Sequence, residues 1–135
     1  MRVLVLCPHF EPDTAPTGLV MTRLVEELRK REHDVHVITS LPWYKTHSVD
    51  SEWTGRLVRK HATSSGSITR LHPMTSAKKN NLVARALAFG MFSMISALAG
   101  VAQKRCDVIL VMSPPLTLGM AGWLAALRHR APLVL

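Results

Sequence analysis

A chain of 135 residues with a net charge of +8 is one domain at most. Its composition, 47% apolar and 19% charged, excludes a disordered segment and predicts a packed core. The surplus of cations suits anionic partners such as phosphates or an anionic membrane leaflet, and a solvated basic surface accounts for it equally well.

The two cysteines, Cys7 and Cys106, each border a predicted buried strand, so they read as small core residues in a reducing cytoplasm rather than as a disulfide. The apolar run after Arg2 is cut short by Pro8 and is too brief for a secretory leader, which makes a cytoplasmic location the expectation.

Taken in order, residues 2–7 (RVLVLC) form an almost wholly apolar run rich in Val and Leu, the pattern of a parallel strand buried on both faces. A polar, proline-punctuated loop follows over 8–16 (PHFEPDTAP). Thr17 and Gly18 then open a helix in which Val20, Met21, Leu24, Val25 and Leu28 recur at helical spacing. Arg29, Lys30 and Arg31 close it, where cations suit the negative end of the helix dipole. Residues 35–39 (VHVIT) supply a second strand and complete a β-α-β unit. Ligands of open α/β sheets sit beyond the carboxyl ends of the strands, beside helix N-termini whose N–H groups lack partners. The loop over 8–16 is therefore where chemistry is expected.

Residues 40–52 are a loop carrying Trp43 and Tyr44, aromatics that could grip a sugar ring or an acceptor tail; packing over the sheet edge is the competing use. Residues 55–62 and 67–73 read as short strands around a turn at 63–66, the first an edge or excursion and the second able to join the main sheet. Arg56, Arg59, Lys60 and Arg70 are explained there as edge charges that discourage pairing. Residues 78–105 are the longest helical candidate, and 86–102 (ALAFGMFSMISALAGVA) carries no charge. That stretch lies at the lower margin of the length needed to cross a bilayer. A core helix beside the sheet ranks first, contact with an anionic membrane surface through Lys78, Lys79 and Arg85 second, and a span third. Residues 107–112 (DVILVM) are another buried strand, 116–129 a compact helix with Leu116, Met120, Trp123, Leu124 and Leu127 lining one side, and 133–135 a last strand. The alternation implies a parallel, right-handed sheet.

Together, MRVLVLCPHFEPDTAPTG, REHDVHVIT, DVILVMSPPLTLG and APLVL resemble, in this order, the N-terminal domain of family 4 glycosyltransferases, with the closest likeness to the subgroup that builds bacterial envelope polysaccharides and glycolipids. The resemblance covers essentially the whole chain. It implies a Rossmann-like three-layer α/β/α domain with a mainly parallel sheet of main-strand order 3-2-1-4-5, the acceptor-side half of a GT-B enzyme whose C-terminal domain binds most of the nucleotide-sugar donor. It also implies retaining, metal-independent transfer with no cofactor, to a glycan or lipid-linked acceptor, in the cytoplasm or peripherally on the inner face of the plasma membrane. Carried over residue by residue, Gly18 lets backbone approach the donor phosphate and Thr17 beside it can cap the helix. His9, Glu11, Asp13, Trp43, Tyr44, Lys45 and Ser113 line the acceptor, and no side chain is singled out as the catalyst.

Two departures from the family pattern carry expectations of their own. Glu32 stands where the family usually has glycine, so the first helix is expected to end without a left-handed residue. The donor-binding domain is not within residues 1–135, which read as a single domain cut short. A last parallel strand without a covering helix exposes apolar surface, so the chain alone is expected to be unstable or to associate, and not to transfer sugar.

Two alternatives stand beside this reading. A zinc-dependent N-deacetylase of sugar-containing small molecules begins similarly, and His9, Glu11 and Asp13 offer nitrogen and oxygen ligands. Phe10 and Pro12 interrupt that set, however, and His61, His72 and His129 lack the acidic neighbour that would orient a third ligand. The other alternative is a non-catalytic binding half that works beside a partner chain. No G-x-G-x-x-G follows the first strand, which argues against a dinucleotide-dependent dehydrogenase. The positive charge comes without a nucleic-acid-binding module, so nucleic acid is not an expected partner.

Overall fold

The computed structural model describes residues 1–45, 49, 51–53, 55, 57–74 and 82–135. In chain order these form β1 (Arg2–Leu6), α1 (Pro16–Lys30), β2 (Asp34–Ser40), a 3₁₀ turn (Ser51–Trp53), β3 (Val58–Thr63), β4 (Gly66–Leu71), α2 (Leu82–Val101), β5 (Val108–Val111), α3 (Leu116–His129) and β6 (Leu133–Val134). The strands make one sheet in the order β3-β4-β2-β1-β5-β6. All neighbours are parallel except β3 and β4, which pair antiparallel. Without β3, this is the order read from the sequence. Gly66, at φ +129°, opens β4 where the carbonyl of Val35 passes so close that no side chain could stand there.

The apolar runs of the inner strands are divided between two layers. Val3, Val5, Val35, Val37 and Ile68 point to the side covered by Met21 and Val25 of α1, whereas Leu4, Leu6, Ile38 and Ile109 point to the side of α2 and α3. Burial on both faces is why these segments read as continuous Val/Leu/Ile stretches and not as alternation.

Three details depart from the sequence expectations. Helix α1 starts at Pro16 with Ala15 as its cap residue and no side-chain cap bond, so Thr17 sits inside the first turn and does not cap. Proline suits that position because its missing N–H would have no helical partner there.

The same helix ends in the left-handed turn that Glu32 was expected to forbid. Glu32 adopts φ 61°, its N–H reaches the Arg29 carbonyl at 2.9 Å, and the His33 N–H reaches the Leu28 carbonyl at 3.1 Å. These are the two bonds of a Schellman motif, made around a glutamate. Arg130 at φ 54° closes α3 in the same way, with the Ala131 N–H on the Ala126 carbonyl at 3.1 Å.

The buried stripe of α1 is narrower than expected. Gly18, Met21 and Val25 face the sheet and Leu28 is half-buried, while Val20 and Leu24 are exposed.

Helix α3 turns its large apolar stripe outward. Leu116, Met120, Trp123, Leu124 and Leu127 are all exposed, and the buried positions are Leu118, Ala121, Gly122, Ala125, Ala126 and His129. The helix lies so close to the sheet that a Cβ on Gly122 would collide with Val111, and only small residues fit between the layers. His129, buried at the end of α3, donates from Nε2 to the Gly100 carbonyl of α2 at 2.9 Å and ties the two helices together. Helix α2 buries Phe92, Ser93, Ser96, Ala97 and Gly100, and Met91, Met94 and Leu98 on its opposite side are exposed. The core reading of α2 thus holds for one face of it.

Candidate functional site

The carboxyl ends of β1, β2, β4 and β5 share one edge of the sheet, and the loop after β1 folds over it. Several bonds shape that loop. The Ser40 hydroxyl at the end of β2 donates to the Pro8 carbonyl at 2.6 Å, and the Asp13 N–H turns back to the Phe10 carbonyl at 2.9 Å. Thr22 accepts from the Glu11 N–H at 3.1 Å and donates its own proton to the Gly18 carbonyl at 2.9 Å. Phe10 is buried and anchors the loop from beneath.

Gly18 sits under this loop in the first turn of α1. A Cβ there would lie 3.2 Å from the Cβ of His9 and 3.3 Å from the Asp13 carbonyl oxygen, so the absent side chain makes room for the loop's own backbone. The first N–H groups of α1, from Thr17 and Gly18, have no place in the helical ladder and lie at this edge.

On the loop, His9 and Asp13 form a pair. Nδ1 of His9 lies 2.8 Å from Oδ2 of Asp13, whose residue is only 4% exposed. With the carboxylate accepting, Nδ1 carries the proton and Nε2 is the ring's remaining polar atom. The His9 ring is also held by the aromatics after β2: its centroid is 5.5 Å from that of Trp43 and 5.5 Å from that of Tyr44. Of the residues expected at the acceptor, His9, Asp13, Trp43 and Tyr44 thus come together. The Glu11 side chain, Lys45 and Ser113 are exposed at the same edge, and among the described residues no hydrogen bond or ring contact joins them to the His9 cluster. Lys78 and Lys79 lie outside the described residues, as does Arg56; Arg85 is exposed in the first turn of α2.

Sequence reasoning passed over Arg70. Edge charge is a sound account for Lys60 on β3, which is an edge strand, but β4 is an inner one. Arg70 is 6% exposed, donates from Nη2 to the Glu11 carbonyl at 2.8 Å, and lies with Arg59 over the Trp53 ring, 5.3 and 5.1 Å from its centroid. Among the described residues its Nε and Nη1 have no hydrogen-bond partner. Loss of hydration holds this guanidinium below the usual arginine range, with the Glu11 carboxylate and the Cys7 sulfur pulling the other way. Nearby, burial pushes the Cys7 thiol up to about 12, which makes it an inert core residue rather than a nucleophile. The signal that was available is a lone cation two residues after Ile68, on the same side of a strand flanked on both sides.

A family profile described as a glycosyl transferase 4-like domain matches residues 17–135. The chain belongs to the glycosyl transferase 4-like family. The matched span takes in everything from the first turn of α1 onward, while β1 and the loop with His9, Glu11 and Asp13 precede it. No curated protein matches the chain. The mixed α/β architecture with its mostly parallel six-stranded sheet is that of a Rossmann-like glycosyltransferase domain. Membership in a glycosyltransferase family implies a sugar donor and an acceptor in general terms. Among the described residues no group of three or more His, Cys, Asp or Glu side chains that could hold a metal ion converges.

Proposed function

We propose that this domain is the acceptor-side half of a nucleotide-sugar-dependent, retaining glycosyltransferase of cell-envelope glycan or glycolipid synthesis. The observation that carries the reading is the His9–Asp13 pair under Trp43 and Tyr44, at the carboxyl edge of a parallel sheet in a glycosyl transferase 4-like domain. Aromatic faces suit the C–H surface of a sugar ring, and an imidazole held by a buried carboxylate suits a sugar hydroxyl. The retaining outcome and the envelope role rest on the sequence resemblance. The N–H groups at the start of α1 would meet part of the donor's phosphate charge, with most of the nucleotide held by a second domain outside residues 1–135. The 135 residues by themselves then bind acceptor and do not transfer sugar. Where the acceptor is lipid-linked, Lys78, Lys79 and Arg85 would hold the domain at anionic headgroups on the inner face of the plasma membrane.

Acceptor and donor titrations followed by NMR test this. Glycan or lipid-linked acceptors should perturb the His9, Trp43 and Tyr44 signals, nucleotide-sugars should bind weakly near Thr17 and Gly18, and His9→Ala should abolish the acceptor response. Sugar transfer by the chain alone, or perturbations confined to another edge of the sheet, would overturn the proposal.

A further inference from the structure

We infer that the outer faces of α2 and α3 form a docking surface for an anionic lipid bilayer, on which the domain lies with these helices in the plane of the interface. The surface is made of side chains that the fold leaves uncovered. On α2, Leu87, Met91, Met94 and Leu98 recur at steps of four, three and four residues, and all are between 45% and 66% exposed. On α3, the outward set that shares one side of the helix includes Met120, Trp123 and Leu127, each more than half exposed. The two helices pack against each other on the same side of the sheet, so the stripes are neighbours. Apolar area of this extent on a single domain marks an interaction site.

Charge identifies the occupant. From the start of α2 to Leu135 the only acidic residue is Asp107, against the five cations Arg85, Lys104, Arg105, Arg128 and Arg130, although the chain as a whole carries nine acids. Helices α2 and α3 contain no acid at all, and their charged residues are Arg85 and Arg128. Lys104 and Arg105 follow α2, and Arg130 follows α3, all exposed. Both helices end at the edge of the sheet where its parallel strands begin, as the Asp107 N–H on the Arg2 carbonyl shows for the segment after α2. Cations therefore stand at that end of the apolar surface and Arg85 at the other. The apolar stripes themselves carry no acid, and at that end Lys104, Arg105 and Arg130 outnumber Asp107, a surface that matches acyl chains beneath anionic headgroups. A protein partner of mixed charge would not call for this bias.

The same geometry separates lying on the bilayer from crossing it. Helix α2 is long and apolar enough, by length and composition, to cross a membrane. Its inner face is committed to the domain, however: Phe92 and Ala97 belong to the core beside Leu4 and Ile38, and Gly100 packs against Ala125. Crossing would strip these contacts, whereas lying flat keeps them. The inference stands without the sugar-transfer reading, because partition is measured with neither donor nor acceptor present.

The test is flotation of the 135-residue chain with vesicles of phosphatidylcholine, alone or mixed with phosphatidylglycerol. The chain should float with the mixed vesicles, and its partition should fall roughly tenfold or more on pure phosphatidylcholine or in high salt. Met94→Glu combined with Trp123→Glu should reduce partition on anionic vesicles at least as far, since each removes an inserting side chain and adds a repelled charge. Both positions are exposed, so the thermal melt should be unchanged; Met120→Glu alone is the second variant should the double one fail to fold. Four results would overturn the inference: no flotation on anionic vesicles, equal flotation on neutral ones, unaltered flotation of a folded variant, or resistance to alkaline carbonate extraction. A dimer in sedimentation velocity that these substitutions split, and that does not float, would assign the face to a second copy of the chain instead.

Discussion

Replacing Glu32 with glycine should make this domain more stable. The residue stands at φ 61° just beyond α1, where the two backbone bonds to Arg29 and Leu28 carbonyls require the left-handed conformation. For a residue with a Cβ that conformation costs about 1–2 kcal/mol. Glycine removes the strain but has more freedom to lose on folding, which offsets about 0.4–1 kcal/mol of the gain. The net expectation is a stabilisation of about 0.5–1 kcal/mol, or a rise of roughly 2–5 °C in Tm for a chain of this size. Urea titrations followed by circular dichroism measure it, and Glu32→Ala is the control. Alanine removes the same exposed carboxylate but keeps the Cβ, so it should leave stability within about 0.5 kcal/mol of the parent. Arg130→Gly should act in the same way at the end of α3, and the double variant should be additive because the two turns share no partner. A Glu32→Gly variant no more stable than the parent, or an alanine variant that gains as much, would refute the reasoning.

Other outcomes follow from the packing and from the site. Gly122→Ala should destabilise the domain by about 1–3 kcal/mol in the same urea assay, because its Cβ would collide with Val111 in a layer that has no slack; an unchanged midpoint would mean α3 can lift from the sheet freely. Burial raises the thiols of Cys7 to about 12 and Cys106 to about 11, above the value near 9.0 of an unfolded thiol. The unfolded chain therefore releases these protons first, so their contribution is complete below about pH 8.5 and is lost as pH rises towards 11–12. Urea midpoints should fall across that window and Cys7→Ala should flatten the fall, whereas a level profile for the parent would count against it. Asp13→Ala should free the His9 ring at a cost of about 1–3 kcal/mol, with the His9 proton resonances moving towards those of an exposed histidine; unmoved resonances would show that Trp43 and Tyr44 alone hold the ring.

The alternation of doubly apolar runs with helical stretches was enough to give the parallel sheet, because a buried parallel strand has no polar face to disguise it, while the strand order came with the family resemblance. Local pattern also located the loop with His9 and Asp13, since prolines and polar residues between a strand and a helix admit few other structures. Side-chain partnership was not legible in that way. That His9 closes on Asp13 and meets Trp43, and that Arg70 lies buried beneath the loop, depends on three strands arriving side by side from distant parts of the chain. Which face of α3 turns inward was not legible for a related reason. Periodicity shows that large apolar residues share one side, but the distance between layers decides whether they or the small residues turn inward, and here Gly122 and Ala125 are what the gap beside Val111 and Leu4 accepts. The chain's pattern thus determined which segments form the sheet and helices, and only their tertiary spacing decided which surfaces were left facing out.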